Sequence, residues 1–277
     1  MEILKRCMKN KKFVFSIFVL VPLIFIVLFG PMLAPNDPLA MNTANALAHS
    51  SARYPFGTDE FGRCILSRLL VGIRPSMTVS LLGTAGAFIS GLILGIIAGY
   101  VGGKVGDVIM RLVDVVLCFP PILLAMMVVC MWGAGVRNLT VVVAILYTPH
   151  FTRIAYSSTI KVRNMEYVEN EISVGANTLR VLSDSIFPNI LSPLVIQISL
   201  TISNAILLES GLSFLGLGVQ PPDPSWGQMI GDARNYLSVN LMYTVWPSFF
   251  LSLTILATNL MGDALRDVLD PKLKESF

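Results

Sequence analysis

The sequence predicts an all-α integral membrane protein with six transmembrane helices. Of its 277 residues, 54% are hydrophobic and only 13% are charged, which leaves too little polar surface to cover a soluble globule of this length. The apolar residues form separate runs of about 20 residues, the length that an α-helix needs to cross a bilayer. The net charge is only +3 and no basic cluster is interleaved with aromatic residues, so nucleic-acid binding is not expected.

The first predicted span covers residues 13–33 and follows a basic segment, residues 1–12. That segment carries five cationic side chains, which predicts a cytoplasmic N-terminus. A cleaved signal peptide is the alternative interpretation. It is disfavoured because the apolar run is longer than a typical signal core and no small-residue cleavage pattern follows it. An uncleaved anchor followed by an outer loop over residues 34–76 is therefore expected.

Five further spans complete a membrane domain over residues 77–263. Six crossings return the C-terminal segment, residues 264–277, to the cytoplasm, and most of the 20 Lys and Arg residues then lie on the cytoplasmic side, as the positive-inside rule requires. The same topology makes residues 158–188 cytoplasmic. The five spans are predicted at about 77–101, 108–132, 139–157, 189–208 and 243–261.

The second span carries glycines three to five residues apart. Small residues at such spacing let helix backbones approach closely in lipid, where packing drives helix association. The pattern predicts close contact with a neighbouring helix, although glycine is also common in membrane spans in general. The glycines are Gly83, Gly86, Gly91, Gly95 and Gly99.

A charged, amphipathic segment over residues 166–189 separates two apolar runs. At helical spacing, one stripe of this segment contains Val168, Gly175 and Ile186. A glycine within such a stripe either lets a partner approach the backbone or bends the helix in two. The segment is interpreted as a docking element, the alternative being an ordinary surface helix between two spans.

The spacing of its glutamate, glycine and proline resembles the "EAA" loop of bacterial ABC-importer permeases. In that family, this cytoplasmic helix fits a groove on the ATPase subunit. The resemblance implies that the segment couples ATP hydrolysis to transport. The residues implied to form the coupling site are Glu169, Gly175, Leu179, Ile186 and Pro188.

A charged, turn-forming segment over residues 57–74 precedes the second span. Thr58 or Asp59 is suited to cap a helix that follows, and Asp59 stands four residues before Arg63. These features predict an ordered element at the outer membrane edge. The segment resembles the GTDxxGRDxxSRxxxGxR signature of the dipeptide, oligopeptide and nickel permease subfamily of ABC importers.

A second signature of the same subfamily, ExGLSFLGLGVQPPxPSWG, resembles residues 209–228. Glu209 follows an apolar run, where a carboxylate is costly unless it meets water, a donor or a cavity. The glycines and prolines after it break the helix. Non-helical backbone within the membrane is tolerated only where it is buried in protein or lines a cavity. Glu209 is expected either to anchor this turn or to contact solute at the outer mouth of the pathway. The residues assigned to the outer mouth are Glu209, Gly211, Phe214, Gly216 and Gly218.

No catalytic motif is present in the sequence. It lacks a phosphate-binding P-loop, a nucleophile elbow and an HExxH zinc motif, and its cysteines and two histidines have no metal-ligand spacing. No enzymatic activity, cofactor or metal site is therefore expected. Hydrolysis of ATP is expected on another chain.

The resemblance implies a type I ABC importer permease fold in the bacterial cytoplasmic membrane. It also implies a homologous permease partner, two ATP-binding subunits and an extracytoplasmic solute-binding protein. The subunit would form half of a pathway for di- or oligopeptides, or for nickel or other metal chelates. The alternative is a self-sufficient secondary transporter or channel for small polar solutes. That alternative needs a coupling-ion site. Acidic residues well inside a span are nearly limited to Asp114, which lies one turn from Arg111 and is interpreted as its ion-pair partner.

Overall fold

The computed structural model describes residues 7–269, so the ends of the two predicted tails, residues 1–6 and 270–277, lie outside the described residues. The described part is helical, with no strand and one isolated β-bridge between Thr58 and Cys64. Five helices are long and apolar enough to cross a membrane, and a bent pair makes a sixth span if it is counted as one. The principal helices are α1 (Lys11–Leu33), α2 (Ile65–Val101), α3 (Gly103–Leu117), α4 (Pro121–Trp132), α5 (Val136–Arg163), α6 (Glu166–Ser173), α7 (Thr178–Phe214), α8 (Trp226–Ala233) and α9 (Leu241–Leu269).

The long helices extend beyond the predicted spans. Helix α2 begins at Ile65 rather than near residue 77, and its first turns include Arg68 and Arg74, which a hydropathy pattern excludes. Each arginine finds acceptors within the protein. Arg74 donates from Nε to the Val27 carbonyl at 2.6 Å, and this carbonyl lacks its usual helical donor because residue 31 of α1 is a proline.

The predicted span over residues 108–132 is divided between two helices. Helices α3 and α4 meet at 89° across a short break. Pro120 and Pro121 cause the break, since proline has no backbone N–H to donate and disfavours helical backbone in the residue before it. Phe119, at the break, donates its N–H to the Val116 carbonyl.

Helices α2 and α5 pack against each other along most of their length. A side chain added at Gly83 would put its Cβ 2.5 Å from Val143, one at Gly91 2.5 Å from Phe151, and one at Gly95 2.4 Å from Ala155. Both members of these pairs advance together along the chain, so the two helices run parallel. The predicted role of the glycines in close helix packing is confirmed for these positions.

The parallel arrangement fixes the two ends of the bundle. We call the end that carries residues 34–64 the loop end, and the opposite end, where α5 leads into α6, the α6 end. Helix α8 lies at the loop end, because Trp226 Nε1 donates to the Leu69 carbonyl at 2.9 Å. Helix α9 runs from the loop end to the α6 end, where Asp267 pairs with Lys12 of α1 at 3.1 Å.

Candidate functional site

Helix α6 ends in a turn that is closed by Gly175. The Ala176 N–H donates to the Glu171 carbonyl and the Gly175 N–H donates to the Ile172 carbonyl, each at 3.0 Å. This pair of hydrogen bonds is the Schellman motif, in which the residue after the cap takes a left-handed conformation. Gly175 has φ +85°, a conformation that glycine adopts without strain. The glycine therefore bends the docking segment in two, one of the two alternatives that the sequence left open.

The bend divides the predicted apolar stripe between the core and the surface. Val168 and Ile186 are fully buried and join the hydrophobic core. Val174 is 86% exposed and Leu179 is 72% exposed, and no atom lies within 4 Å of the place where a Cβ on Gly175 would stand. We call the exposed part of residues 166–180 the α6 surface.

The five residues assigned to coupling do not all lie on the α6 surface. Glu169, Gly175 and Leu179 are exposed and belong to it, and Pro188 is exposed farther along the chain, in α7. Ile186 is buried in the core, so it has no surface to offer a partner. It lies in a π-helical stretch, Val181–Ile186, where the extra residue per turn rotates the side chains away from the register that ideal α-helical spacing predicts.

Two side-chain hydrogen bonds hold α6 against the beginning of α7. Ser185 Oγ donates to Glu171 Oε2 at 2.8 Å, and Asn189 Nδ2 donates to the Tyr167 hydroxyl at 3.1 Å. Together with the buried Val168, these bonds fix the orientation of α6 while its outer face stays exposed. The α6 surface is thus held rigidly by the bundle and has no partner among the described residues.

At the loop end, the charged segment is organised around the buried carboxylate of Asp59. Asp59 Oδ2 lies 2.6 Å from Arg63 Nε and 3.4 Å from Arg68 Nε, and its Oδ1 accepts from the backbone N–H groups of Phe61 and Arg63. Neither Thr58 nor Asp59 caps α2, which begins after Cys64 without a side-chain cap. The ordered element that the sequence predicts here is present, with the carboxylate turned inward.

Glu209 lies in α7 and is fully buried. Ser213 Oγ donates to its Oε1 at 2.6 Å, and Ser210 Oγ lies 3.4 Å from its Oε2. Ser213 Oγ also accepts from the Val219 N–H at 3.3 Å, so one hydroxyl connects the carboxylate to the backbone after the helix. This geometry suits Glu209 to stabilise the turn after the helix. The sequence interpretation did not identify Ser213, which connects the Glu209 carboxylate to that turn.

The other residues assigned to the outer mouth shape the same turn. Gly216, at φ +78°, closes a second Schellman motif, and a Cβ on Gly218 would stand 1.9 Å from Ser213 Oγ. Gly211 is half-buried, and a Cβ added there would lie 3.8 Å from the Ile122 side chain. Phe214 is 37% exposed at the helix end, where the Arg234 guanidinium lies 5.8 Å from its ring centroid.

A cleft at the loop end lies between the charged segment and residues 221–236, and the sequence interpretation did not predict it. It has a volume of about 520 Å³ and is lined by Glu60, Arg63, Gln228 and Asp232, among others. Burial and the nearby Glu60 carboxylate raise the pKa of Asp232 above its ordinary value. Asp232 and Gln228 stand one helical turn apart on α8, but the sequence gives no sign that residue 60 would face them.

The predicted pairing of Asp114 with Arg111 is wrong. Asp114 Oδ1 lies 2.6 Å from Arg153 Nη2, and both side chains are about half exposed. The bend between α3 and α4 leaves α3 alongside α5, where Arg153 is closer. Within residues 7–269, no group of three or more His, Cys, Asp or Glu side chains is arranged to hold a metal ion.

The chain matches two family models. Residues 91–275 match the model described as binding-protein-dependent transport system inner membrane component. Residues 1–50 match the model described as the N-terminal TM domain of oligopeptide transport permease C. Between them, the two models cover most of the chain.

Curated relatives match almost the whole chain. The dipeptide transport system permease protein DppC of Escherichia coli strain K12 is 40% identical over 273 residues, which cover 96% of this chain and 91% of the relative. The di/tripeptide transport system permease protein DppC of Pseudomonas aeruginosa strain UCBPP-PA14 is 38% identical over 260 residues, covering 92% and 86%. The glutathione transport system permease protein GsiD of Pectobacterium atrosepticum is 40% identical over 225 residues, covering 81% and 74%.

A solved structure supports the predicted fold. The chain is similar to a chain of the MetNI methionine ABC transporter in an inward-facing conformation, with a TM-score of 0.60 and 17% identity, covering 73% of this chain and 96% of that one. At this identity the likeness concerns the fold alone, and it confirms the predicted type I ABC importer permease fold. With the family models and the relatives, it follows that the chain belongs to the family of binding-protein-dependent transport system inner membrane components and is a permease subunit of an ABC importer.

Proposed function

We propose that this chain is one of two homologous permease subunits in an importer of short peptides. In this proposal, ATP is hydrolysed on two separate ATP-binding subunits, and an extracytoplasmic solute-binding protein delivers the peptide. The chain transmits the ATPase movement to the pathway and performs no chemistry itself. The absence of a P-loop in the sequence supports this division of labour.

The relatives support short peptides as the substrate class. The names of the two DppC relatives specify dipeptides or di- and tripeptides, and the GsiD relative transports glutathione, which is a modified tripeptide. All three match at similar identity over most of their length. A peptide of two or three residues is therefore a better candidate than a nickel or other metal chelate.

The α6 surface is the observation that carries the proposed coupling role. Val174 and Leu179 expose more than two thirds of their side chains beside a turn whose backbone is fixed by two hydrogen bonds. A rigid surface with exposed apolar side chains at the end of a membrane bundle is suited to receive a partner protein. The ATPase subunit is the partner that the family resemblance of this segment implies.

The charge distribution supports a cytoplasmic α6 end and cytoplasmic termini. Lys161 and Arg163 end α5 at the α6 end, and Lys11 and Lys12 begin α1 there. This bias agrees with the positive-inside rule. The loop end then faces the solute-binding protein on the outer side of the membrane.

A reconstituted complex tests the coupling role. The complete importer, with Val174→Glu in this chain, is placed in proteoliposomes and assayed for uptake of radiolabelled dialanine and for binding-protein-stimulated ATPase activity. The matched control is Val239→Glu, which puts the same charge at a valine that is 57% exposed at the loop end. Membrane insertion and complex assembly are measured for both variants.

We expect Val174→Glu to lower uptake and stimulated ATPase activity at least tenfold, because a buried, unpaired carboxylate at a protein interface costs more than 1.4 kcal/mol, on the order of a tenfold change. Val239→Glu is expected to retain both activities. Normal coupled uptake by the Val174→Glu complex would refute the coupling role. Failure of the unmodified complex to take up any peptide would refute the substrate class alone.

A further inference from the structure

The charged groups that line the loop-end cleft, together with the buried Asp59 and Arg68 behind it, have an excess of negative charge. Three carboxylates, those of Asp59, Glu60 and Asp232, face two guanidinium groups, those of Arg63 and Arg68. Glu60 is engaged by Arg63 at 3.3 Å and by the Tyr243 hydroxyl. The Asp232 carboxylate has neither a hydrogen bond nor an ion pair with any residue that the structure describes. One further cation would neutralise the cluster.

A buried amide in the same cleft lacks a hydrogen-bond partner. Gln228 is only 9% exposed, lines the cleft, and its Oε1 has no donor among the residues of the described range. An acceptor left unpaired in the interior costs about 1–3 kcal/mol. Because Gln228 stands one turn before Asp232 on α8, both side chains line one cavity. A cation with several N–H donors in the cleft would offer each of the two groups a partner.

We propose that this cleft binds a primary ammonium group. An ammonium carries one positive charge and three N–H donors. The Asp232 carboxylate, the Glu60 carboxylate and Gln228 Oε1 provide three acceptors, and the charge offsets the excess negative charge of the cluster. A divalent metal ion fits less well, because no three metal-ligating side chains in the described part of the chain are grouped to hold one.

The inference rests on the proposed function only for the source of the ammonium group. If the loop end faces the outside, two sources reach the cleft. One is the α-ammonium of a peptide that enters the pathway, and the other is a lysine side chain of the solute-binding protein. Both present the same chemistry, so one pair of variants in this chain tests the site and different probes distinguish the sources.

The first measurement is binding of ethylammonium to the assembled permease complex in nanodiscs without binding protein, by calorimetric titration. The variants are Asp232→Asn and Gln228→Leu, each close in shape to the original residue. The control is Asp223→Asn, which removes an exposed carboxylate from the loop before α8. We expect each cleft variant to weaken binding about tenfold, the effect of losing one hydrogen bond to a charged group, and the control to leave binding unchanged.

The second measurement identifies the source. If the peptide supplies the group, dialanine binds the complex, N-acetyl-dialanine does not, and Asp232→Asn abolishes the difference. If the binding protein supplies it, dialanine does not bind. In that case, lysine acetylation of the binding protein and Asp232→Asn each weaken its docking about tenfold, without an additive effect.

The proposal is overturned if ethylammonium binding and binding-protein docking are both the same in wild type, Asp232→Asn and Gln228→Leu. A folding defect does not obscure this result, because Gln228→Leu removes no hydrogen bond of its side chain within residues 7–269, and thermal unfolding of both variants is measured in parallel. An importer that proves not to carry peptides still binds ethylammonium if the site is correct. Failure of the proposed function and failure of this site are therefore distinguishable.

Discussion

Asp59 is the residue on which the loop end most depends. It is fully buried, and its carboxylate contacts two arginines of which one, Arg68, is 1% exposed. Removing one partner of a buried charge group leaves the other charges without compensation, which costs about 3–5 kcal/mol. The backbone N–H of Arg63 would also face a weaker acceptor.

We predict that Asp59→Asn lowers the free energy of unfolding by about 3 kcal/mol. Thermal unfolding of the purified chain in detergent measures the effect. The control is Lys12→Gln, which breaks the half-exposed ion pair with Asp267 and should cost less than about 1 kcal/mol. Equal effects of the two substitutions would show that the Asp59 cluster contributes no more than a surface pair.

Asp232 makes cation binding in the loop-end cleft dependent on pH. Burial, with Glu60 and Asp59, raises its pKa above the ordinary 3.8, while Arg68 and Arg63 act in the opposite direction. A raised pKa means that the carboxyl takes up a proton, and loses its charge, at a higher pH than an exposed aspartate. We predict that ethylammonium affinity falls on acidification before exposed carboxylates titrate. Titrations at several pH values check this, and Asp232→Asn should remove that part of the dependence.

The sequence predicts the role of a residue when that role follows from its spacing along one helix. It does not predict the role of a residue that depends on contacts with residues distant in the sequence. Gly91 and Gly95 were expected at a helix contact because small residues are spaced for it. Ser213 and Gln228 carry no local signal, since a serine or a glutamine in an apolar context has many uses. Their roles depend on which groups the fold brings beside them, Glu209 for one and Asp232 for the other.

At the scale of the element, the turn after α6 depends on the backbone conformation of Gly175. At φ +85°, a β-branched residue is strained by about 1–2 kcal/mol, whereas asparagine tolerates this region. We predict that Gly175→Val lowers ATP-coupled uptake strongly and that Gly175→Asn retains most of it. Uptake and stimulated ATPase activity in proteoliposomes measure both. Equal loss with both substitutions would indicate that bulk at the partner contact matters, and not the backbone.

The contact between α2 and α5 leaves no space for a larger side chain. A Cβ on Gly95 would lie 2.4 Å from Ala155 Cβ and 2.6 Å from the Thr152 carbonyl oxygen. We predict that Gly95→Leu destabilises the chain by about 1–3 kcal/mol or more through overpacking. Ile93→Ala is the control, because Ile93 lies on the same helix and is 53% exposed. A similar unfolding temperature for both variants would contradict the packing argument.

Elements were predicted well where one physical rule acts alone. Apolar runs of sufficient length gave the positions of the long helices, because crossing a bilayer requires little else. The run over 108–132 met that rule too, yet two adjacent prolines divide it, and apolar composition does not reveal a bend. Hydropathy does not predict the extension of α2 back to Ile65, because it excludes the arginines of this part of the helix. These arginines have hydrogen-bond partners that only the fold provides.

At the scale of the whole molecule, most of the apolar surface of the spans has no partner within residues 7–269. At most half of the most apolar stretch of each long helix is buried. We predict that the purified chain alone in proteoliposomes shows no saturable, ATP-independent uptake of dialanine. The complete complex with ATP and binding protein should show it. Uptake by the single subunit would support the self-sufficient secondary transporter instead.

The parallel contact between α2 and α5 has a mechanical consequence. Glycines along α2 hold the two helices in close contact over most of their length, and we expect the pair to move as one rigid unit. Helix α2, with 37 residues, is about 55 Å long, and it begins beside the Asp59 cluster, while α5 leads within two residues into α6. We therefore expect a displacement of α6 to shift the first turns of α2, which lie beside the loop-end cleft. Gly95→Leu separates α2 from α5. In complexes that still assemble, we expect this variant to permit ATP hydrolysis without transport.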